Sequence, residues 1–181
     1  MFFLFTLVSC ENDLDNIAKL SATDISADEV SDSLTVIYTD SARVKFIIFG
    51  QKVEKYNTEK PKTIINDGLK VRFFDDEENN TATLTSIYGE IDEKTQAIVC
   101  KYDVVFANHE KDQTLFTEEL QWDQKGKKVY TPGNVTIKQG DGYLYGKGME
   151  ANEDFSWYKI IYPTGKKAIE KDSTENDEEL Q

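Results

Sequence analysis

Between residues 35 and 168 apolar and polar positions alternate in short runs. "LTVIYTD", "ARVKFIIFGQKVEKY", "GLKVRFFDD", "TATLTSIYGEID", "QAIVCKYDVVFANH", "TLFTEELQWD", "KVYTPGNVTIKQ", "GYLYGKGMEA" and "FSWYKIIYP" are rich in Val, Ile, Thr, Tyr and Phe, and a period of two marks strands that bury one face. Turn-forming residues divide the runs at Asn66-Asp67-Gly68, Glu78-Asn79-Asn80, Lys125-Gly126 and Asp141-Gly142. No helical period runs through 35–168. The pattern predicts an all-β domain made of antiparallel hairpins.

The middle of the chain also repeats. "TLTSIYGEIDEKTQAIVCKYDVVFAN" starts at Thr83 and "TLFTEELQWDQKGKKVYTPGNVTIKQ" at Thr114, 31 residues later. Leu84 then aligns with Leu115, Asp92 with Asp123, Lys94 with Lys125, Ile98 with Val129, Val104 with Val135 and Phe106 with Ile137. A partial third copy begins at Tyr143, with Leu144 in the place of Leu115, Met149 in that of Leu120 and Asn152 in that of Asp123. Each unit is a strand, a turn and a strand. One such hairpin is marginal in water, so the units are expected to stack and bury their apolar faces against one another.

Strand parity selects the buried face, because successive side chains point to opposite sides. Ile98, Cys100, Tyr102, Val104 and Phe106 share one side, with Lys101 and Asp103 on the other; Val129, Val135 and Ile137 form the equivalent face of the copy. Leu69, Val71 and Phe73 extend it, as do Val44, Phe46 and Ile48. Leu115 and Leu120 differ in parity, which predicts a bulge between them.

The two ends have a different character. Residues 1–8 form an apolar run too short for a bilayer-spanning helix, which needs roughly 20 residues, but within the span of a secretory signal's apolar region. Leu7-Val8-Ser9-Cys10 resembles the bacterial lipobox, so residues 1–9 are read as the remnant of a signal peptide and Cys10 as a lipid-bearing N-terminus. No Lys or Arg precedes Lys19, where a signal would carry positive charge, so an upstream start is expected. Residues 10–34, acidic and sparse in apolar side chains, are read as a linker. Residues 169–181, a charge run without aromatics, are read as a disordered tail. The domain itself is placed at 35–168.

Composition narrows the function. With 39% hydrophobic and 12% aromatic residues the chain can build a core, and with a net charge of -13 it is unsuited to the phosphate backbone of nucleic acid. Cys10 and Cys100 are the two cysteines. With Cys10 lipidated, Cys100 has no disulfide partner and is expected as a small buried apolar group. His109 is the sole histidine, too few for a zinc site. The carboxylate pairs Asp75-Asp76 and Glu118-Glu119 fall in turns or alternate across strands. Gly142, Gly146 and Gly148 are followed by no helix that would cradle a phosphate. No catalytic constellation, metal site or cofactor is expected, and the chain is read as a non-enzyme.

The ordered series "NDGLKVRFFDDE", "TSIYGEIDEKTQAIVCKYDVVFAN", "TLFTEELQWDQKGKKVYTPGNVTI" and "YLYGKGMEANEDFSWYKI" resembles the LptC family of the OstA-like group across residues 36–161. The resemblance implies a twisted, partly open β-jellyroll. It implies a periplasmic module that takes lipopolysaccharide from an inner-membrane ABC transporter and passes it to an LptA-like partner. An acidic domain cannot hold an anionic lipid mainly by charge, so acyl chains are the expected contact, on a groove of Val71, Phe73, Leu84, Ile98, Val104, Phe106, Leu115, Val129, Val135, Ile137 and Leu144. The same residues would equally form a closed core. Trp157, Lys159, Ile160 and Ile161, in a last strand taken to end at Pro163 and Gly165, form the expected partner edge. Residues 36–38 form the edge toward the transporter. Two other readings stay open, a structural envelope lipoprotein that uses its edges for protein contacts and an LptA-like soluble bridge.

Better-known members carry a membrane-spanning helix where this chain has a lipobox-like end, so the resemblance favours inner-membrane attachment without supplying its means. One acyl chain anchors a protein only marginally, whereas two or more hold it stably. Labelled fatty acid is expected to enter the precursor and to be lost in Cys10→Ala; label retained by that variant overturns the anchor.

Overall fold

The computed structural model describes residues 26–153 and 155–168. Cys10, the signal-like run and the acidic tail lie outside them. The described residues form eleven strands of one antiparallel sheet: β1 (Glu29–Ser31), β2 (Leu34–Asp40), β3 (Arg43–Tyr56), β4 (Lys62–Phe74), β5 (Asn80–Ser86), β6 (Tyr88–Asp92), β7 (Ala97–Asn108), β8 (Gln113–Asp123), β9 (Lys128–Gln139), β10 (Gly142–Asn152) and β11 (Tyr158–Ala168). Their order is that of a meander, as short hairpin connections require. At one edge β1 and β2 both pair with β3, and at the other β11 pairs with β10. β5 and β6 behave as one strand broken at Ile87, each pairing with β4 and β7.

A line of irregularities crosses the sheet near the middle of its strands. The register slips between Gly50 and Lys52, between Lys101 and Val104, between Thr117 and Gln121, and between Lys147 and Met149. Backbone in the left-handed region occurs on the same line at Asp67, Tyr102, Asp103 and Gly148. Bulges bend a strand and increase its twist. Here they fold the sheet over itself, so that one half of each strand faces the other half of its neighbours. Ring contacts across the fold show the two layers meeting: Trp122 lies 5.1 Å from Phe46 and 5.3 Å from Phe73, and Phe155 stacks on Phe106 at 3.9 Å.

Two expectations change at this corner. Asn66-Asp67-Gly68 does not separate two strands; it lies within β4, where φ of 63° at Asp67 and 138° at Gly68 bends the strand without reversing it. Tyr102 does not join Cys100 and Val104 inside. The two-residue irregularity at Tyr102-Asp103 turns its ring outward, 56% exposed, while restoring Val104 and Phe106 to the inner face. The expected bulge between Leu115 and Leu120 is present, and both leucines are buried.

The sheet also reaches beyond the expected ends of its parts. β1 and Leu34 belong to it, ahead of residue 35 where the domain was placed. Pro163 and Gly165 do not end β11; they pair with Gly146 and Tyr145. Proline is tolerated there because the strand is an edge, and a register slip between Tyr145 and Gly146 takes up the misfit.

The repeat has a physical basis in the turns. Asp92 Oδ1 accepts from the amides of Lys94 and Thr95, Asp123 Oδ1 from that of Gly126, and Asn152 Oδ1 from that of Trp157. Aligned residues thus close successive hairpins by the same side-chain cap. The turns also join one another, through Lys94 Nζ to the Glu59 carbonyl at 2.6 Å and Lys125 Nζ to the Lys94 carbonyl at 3.2 Å.

The core is the inner face of both layers, with Ile65, Ile98, Leu120, Met149 and Val71 the largest wholly enclosed side chains. Full burial of each contributes about 1.5–3 kcal/mol. Cys100 lies among them, and burial pushes its thiol up to about 12 despite the Ser86 hydroxyl beside it, as suits an inert core group.

Gly146 leaves no room on β10 beneath β11: a Cβ there would press on Ile160 Cγ2 and stand 2.8 Å from the Tyr162 carbonyl oxygen. Gly165 on the facing strand has open space. Gly146→Ala is expected to lower unfolding stability by about 1–3 kcal/mol, and Gly165→Ala to leave it within about 0.5 kcal/mol. Equal midpoints for the two variants in urea would contradict the packing of β11.

Candidate functional site

The residues expected to form a groove do line one surface. In one layer the paired positions run Val36, Ile48, Val71, Leu84, Phe106, Leu115, Ile137, Leu144 and Lys166, each across from the next. The facing layer carries Ile91, Ile98, Trp122, Val129, Ala151 and Tyr158 in the same fashion. Val104 and Val135 stand beside the corner and pair in turn with Thr117. Alternation puts them on the inner side, with Val36 and Lys166, at the two edges, left exposed.

The interior is packed shut over most of this surface. Val71, Leu84, Ile98, Val104, Phe106, Leu115, Val129, Val135 and Ile137 are buried, while Phe73 and Leu144 are half-buried against them, Phe73 at the mouth where the two layers come together. At that mouth, on the side of β3 to β5, lies a cleft of about 340 Å³. Its floor is Phe46, Phe73, Ala82 and Trp122, and Asp40, Lys45, Glu110 and Lys127 stand around it. That is more than twice the ~150 Å³ of an apolar cavity that admits benzene. Trp122 Nε1 is buried among the described residues with no hydrogen-bond acceptor.

Trp122 and Phe155 are the residues that parity alone did not place. Trp122 shares the parity of Leu120 beyond the β8 bulge, so the bulge already predicted is the signal that places it. Phe155 precedes β11 and carries no alternation to follow.

The edges differ. β2 is exposed along its whole length and on both faces, with Ile37 at 58%, although Tyr38 stacks on Phe46 at 4.6 Å. On β11, Lys159 and Ile161 are exposed and Ile160 packs against the core, while Trp157 sits in the turn ahead of the strand with its ring exposed. Apolar side chains therefore stand beside the free edges on both sides of the sheet, where proteins ordinarily place charges.

The polar residues considered for chemistry have structural partners. His109 Nε2 lies 3.0 Å from Thr83 Oγ1. Asp75 is held below its usual range by the Asn79 side chain and by the turn amides, Asp76 by Lys45 and Arg43, and Asp92 by the Thr95 and Lys94 amides. Among the described residues no cluster of three metal-ligating side chains occurs, and no helix is long and apolar enough to cross a membrane.

What the arrangement offers is an apolar lining between two layers and two free strand edges. The family model described as "Lipopolysaccharide-assembly, LptC-related" matches residues 2–159, and no curated protein matches the chain. Spanning the inner lining, the corner and the start of β11, that match shows that the chain belongs to the LptC family, whose members work in lipopolysaccharide transport in the cell envelope.

Proposed function

We propose that the protein receives lipopolysaccharide from an inner-membrane ABC transporter and passes it, acyl chains inward, to an LptA-like periplasmic partner, held at the inner membrane by lipid on Cys10. The observation that carries this reading is the apolar ladder from Val36 to Leu144, which crosses the sheet without a polar interruption. Hydrocarbon lying along it would gain about 25 cal/mol per Å² removed from water. β2 would meet the transporter and β11 the LptA-like partner, each by strand addition.

The packed interior favours a second reading, in which the lining is core alone and the protein is a structural envelope component using its edges. Photo-crosslinking separates the two. Photoreactive side chains at Phe73, which lines the cleft, and at half-buried Leu144 are expected to capture lipopolysaccharide in cells, and one at outward-facing Thr85 is expected not to. Capture at none of the three supports the structural reading.

The partner edge has its own test. Ile161→Lys places a charge on an exposed strand position without disturbing the core, and is expected to weaken binding of the LptA-like partner roughly tenfold or more. Unchanged affinity in a titration moves the docking site off β11.

A further inference from the structure

The open cleft does not run the length of the mouth. It runs from Tyr38 and Phe46 past Ala82, Asn108 and Trp122 to Lys127 and Glu153, and does not reach Phe106, Leu115 or Ile137. Beyond that point the ring of Phe155 enters from the connection ahead of β11 and lies flat on Phe106, 3.9 Å between centroids and 21° between planes. Behind it, among Leu115, Ile137 and Tyr158, remains a gap of about 10 Å³, too small for more than a water molecule. Phe155 thus covers the stretch of the inner ladder that leads toward β11.

Its attachment differs from that of its neighbours. Phe46, Phe73, Phe106 and Trp122 are carried on strands and fixed by pairing. Phe155 lies outside any strand, with φ of 52°, a conformation L-residues adopt only at a cost. Its amide donates to the Asn152 carbonyl at 3.0 Å within its own turn, and Lys111 Nζ, from the turn between β7 and β8, donates to its carbonyl at 3.2 Å. Among the described residues, ring stacking on Phe106 and the Lys111 bond hold Phe155 to the facing layer.

We propose that Phe155 is a displaceable plug. Its ring occupies the place of an acyl chain over Phe106, Leu115 and Ile137, and its withdrawal joins the cleft to the β11 end as one hydrocarbon path. The inference rests on the carrier reading and adds a resting, closed state to it. Closure keeps the inner face dry when no lipid is present, and binding selects the open form.

Tryptophan fluorescence tests this directly, because the chain has two tryptophans and Trp157→Phe leaves Trp122, on the cleft floor, as the sole emitter. In that background a long-chain fatty acid brominated in mid-chain is expected to quench Trp122, and to do so roughly fivefold faster when Phe155→Ala is added. Lys111→Met, which keeps the ring and cuts its tether, is expected to accelerate quenching in the same direction, and carries the test if Phe155→Ala fails to fold by circular dichroism. Quenching in the parent with no acceleration in a folded variant overturns the plug and leaves the carrier standing. No quenching in parent or variants overturns both.

Discussion

Everything in this domain depends on the bend at the middle of its strands. A sheet this wide with one apolar face cannot be stable flat, because that face would stand in water over its whole area. Folding it along the line through Gly50, Asp67, Ile87, Tyr102 and Gly148 lets the sheet serve as its own second layer. The bend costs backbone strain at residues such as Tyr102 and Asp103, whose φ angles of 65° and 50° are uncommon outside glycine. Burial of paired residues such as Trp122 against Phe46 offsets that strain. The corner and the core are one decision, since neither is favourable without the other.

A self-packed sheet has a property that a sandwich of two independent sheets lacks. Its layers are covalently continuous at the corner and, among the described residues, meet at the mouth through side-chain contacts. The contacts there are aromatic rings, a lysine bond to a carbonyl and the rims of a cleft, all of them separable without breaking a strand ladder. Trp122, its indole N–H buried and without an acceptor among the described residues, marks a place where the closed form is less than fully satisfied. A binding protein for long apolar chains benefits from a seam of this kind, because chains can enter from the side instead of threading from an end.

Strand placement and inner parity were legible because alternation is a local property. Leu84, Phe106, Leu115, Ile137 and Leu144 could be put on one face by counting, and the repeat put them in register before any pairing was known. The corner was less visible. Asp67-Gly68 has the same composition whether it reverses a chain or bends it, and the difference is set by pairing with the preceding strand β3, which the dipeptide itself does not encode. Tyr102 shows the same limit, as parity counting passes through a two-residue bulge unchanged and assigns the wrong side only to the residue within it. Pro163 reads as a stop in any strand with two neighbours, and only the position of β11 at the edge makes it harmless. Phe155 lay beyond reach because its role comes from a contact with Phe106 that no local pattern encodes.

The turn-to-turn bonds carry a consequence for how such a protein changes length. Lys94 and Lys125 reach back with their ammonium groups to the carbonyls of Glu59 and Lys94, and the Glu153 amide makes a backbone bond to the Lys127 carbonyl, so each of these turns is hydrogen-bonded to one before it. A duplicated hairpin inserted between two others would find both its neighbours' surfaces already suited to it. It would widen the sheet by two strands, about 10 Å, and leave both edges as they were. The architecture is therefore extensible in whole hairpins, so the distance it spans can be altered by gene duplication within the repeat while the surfaces at either end are inherited unchanged.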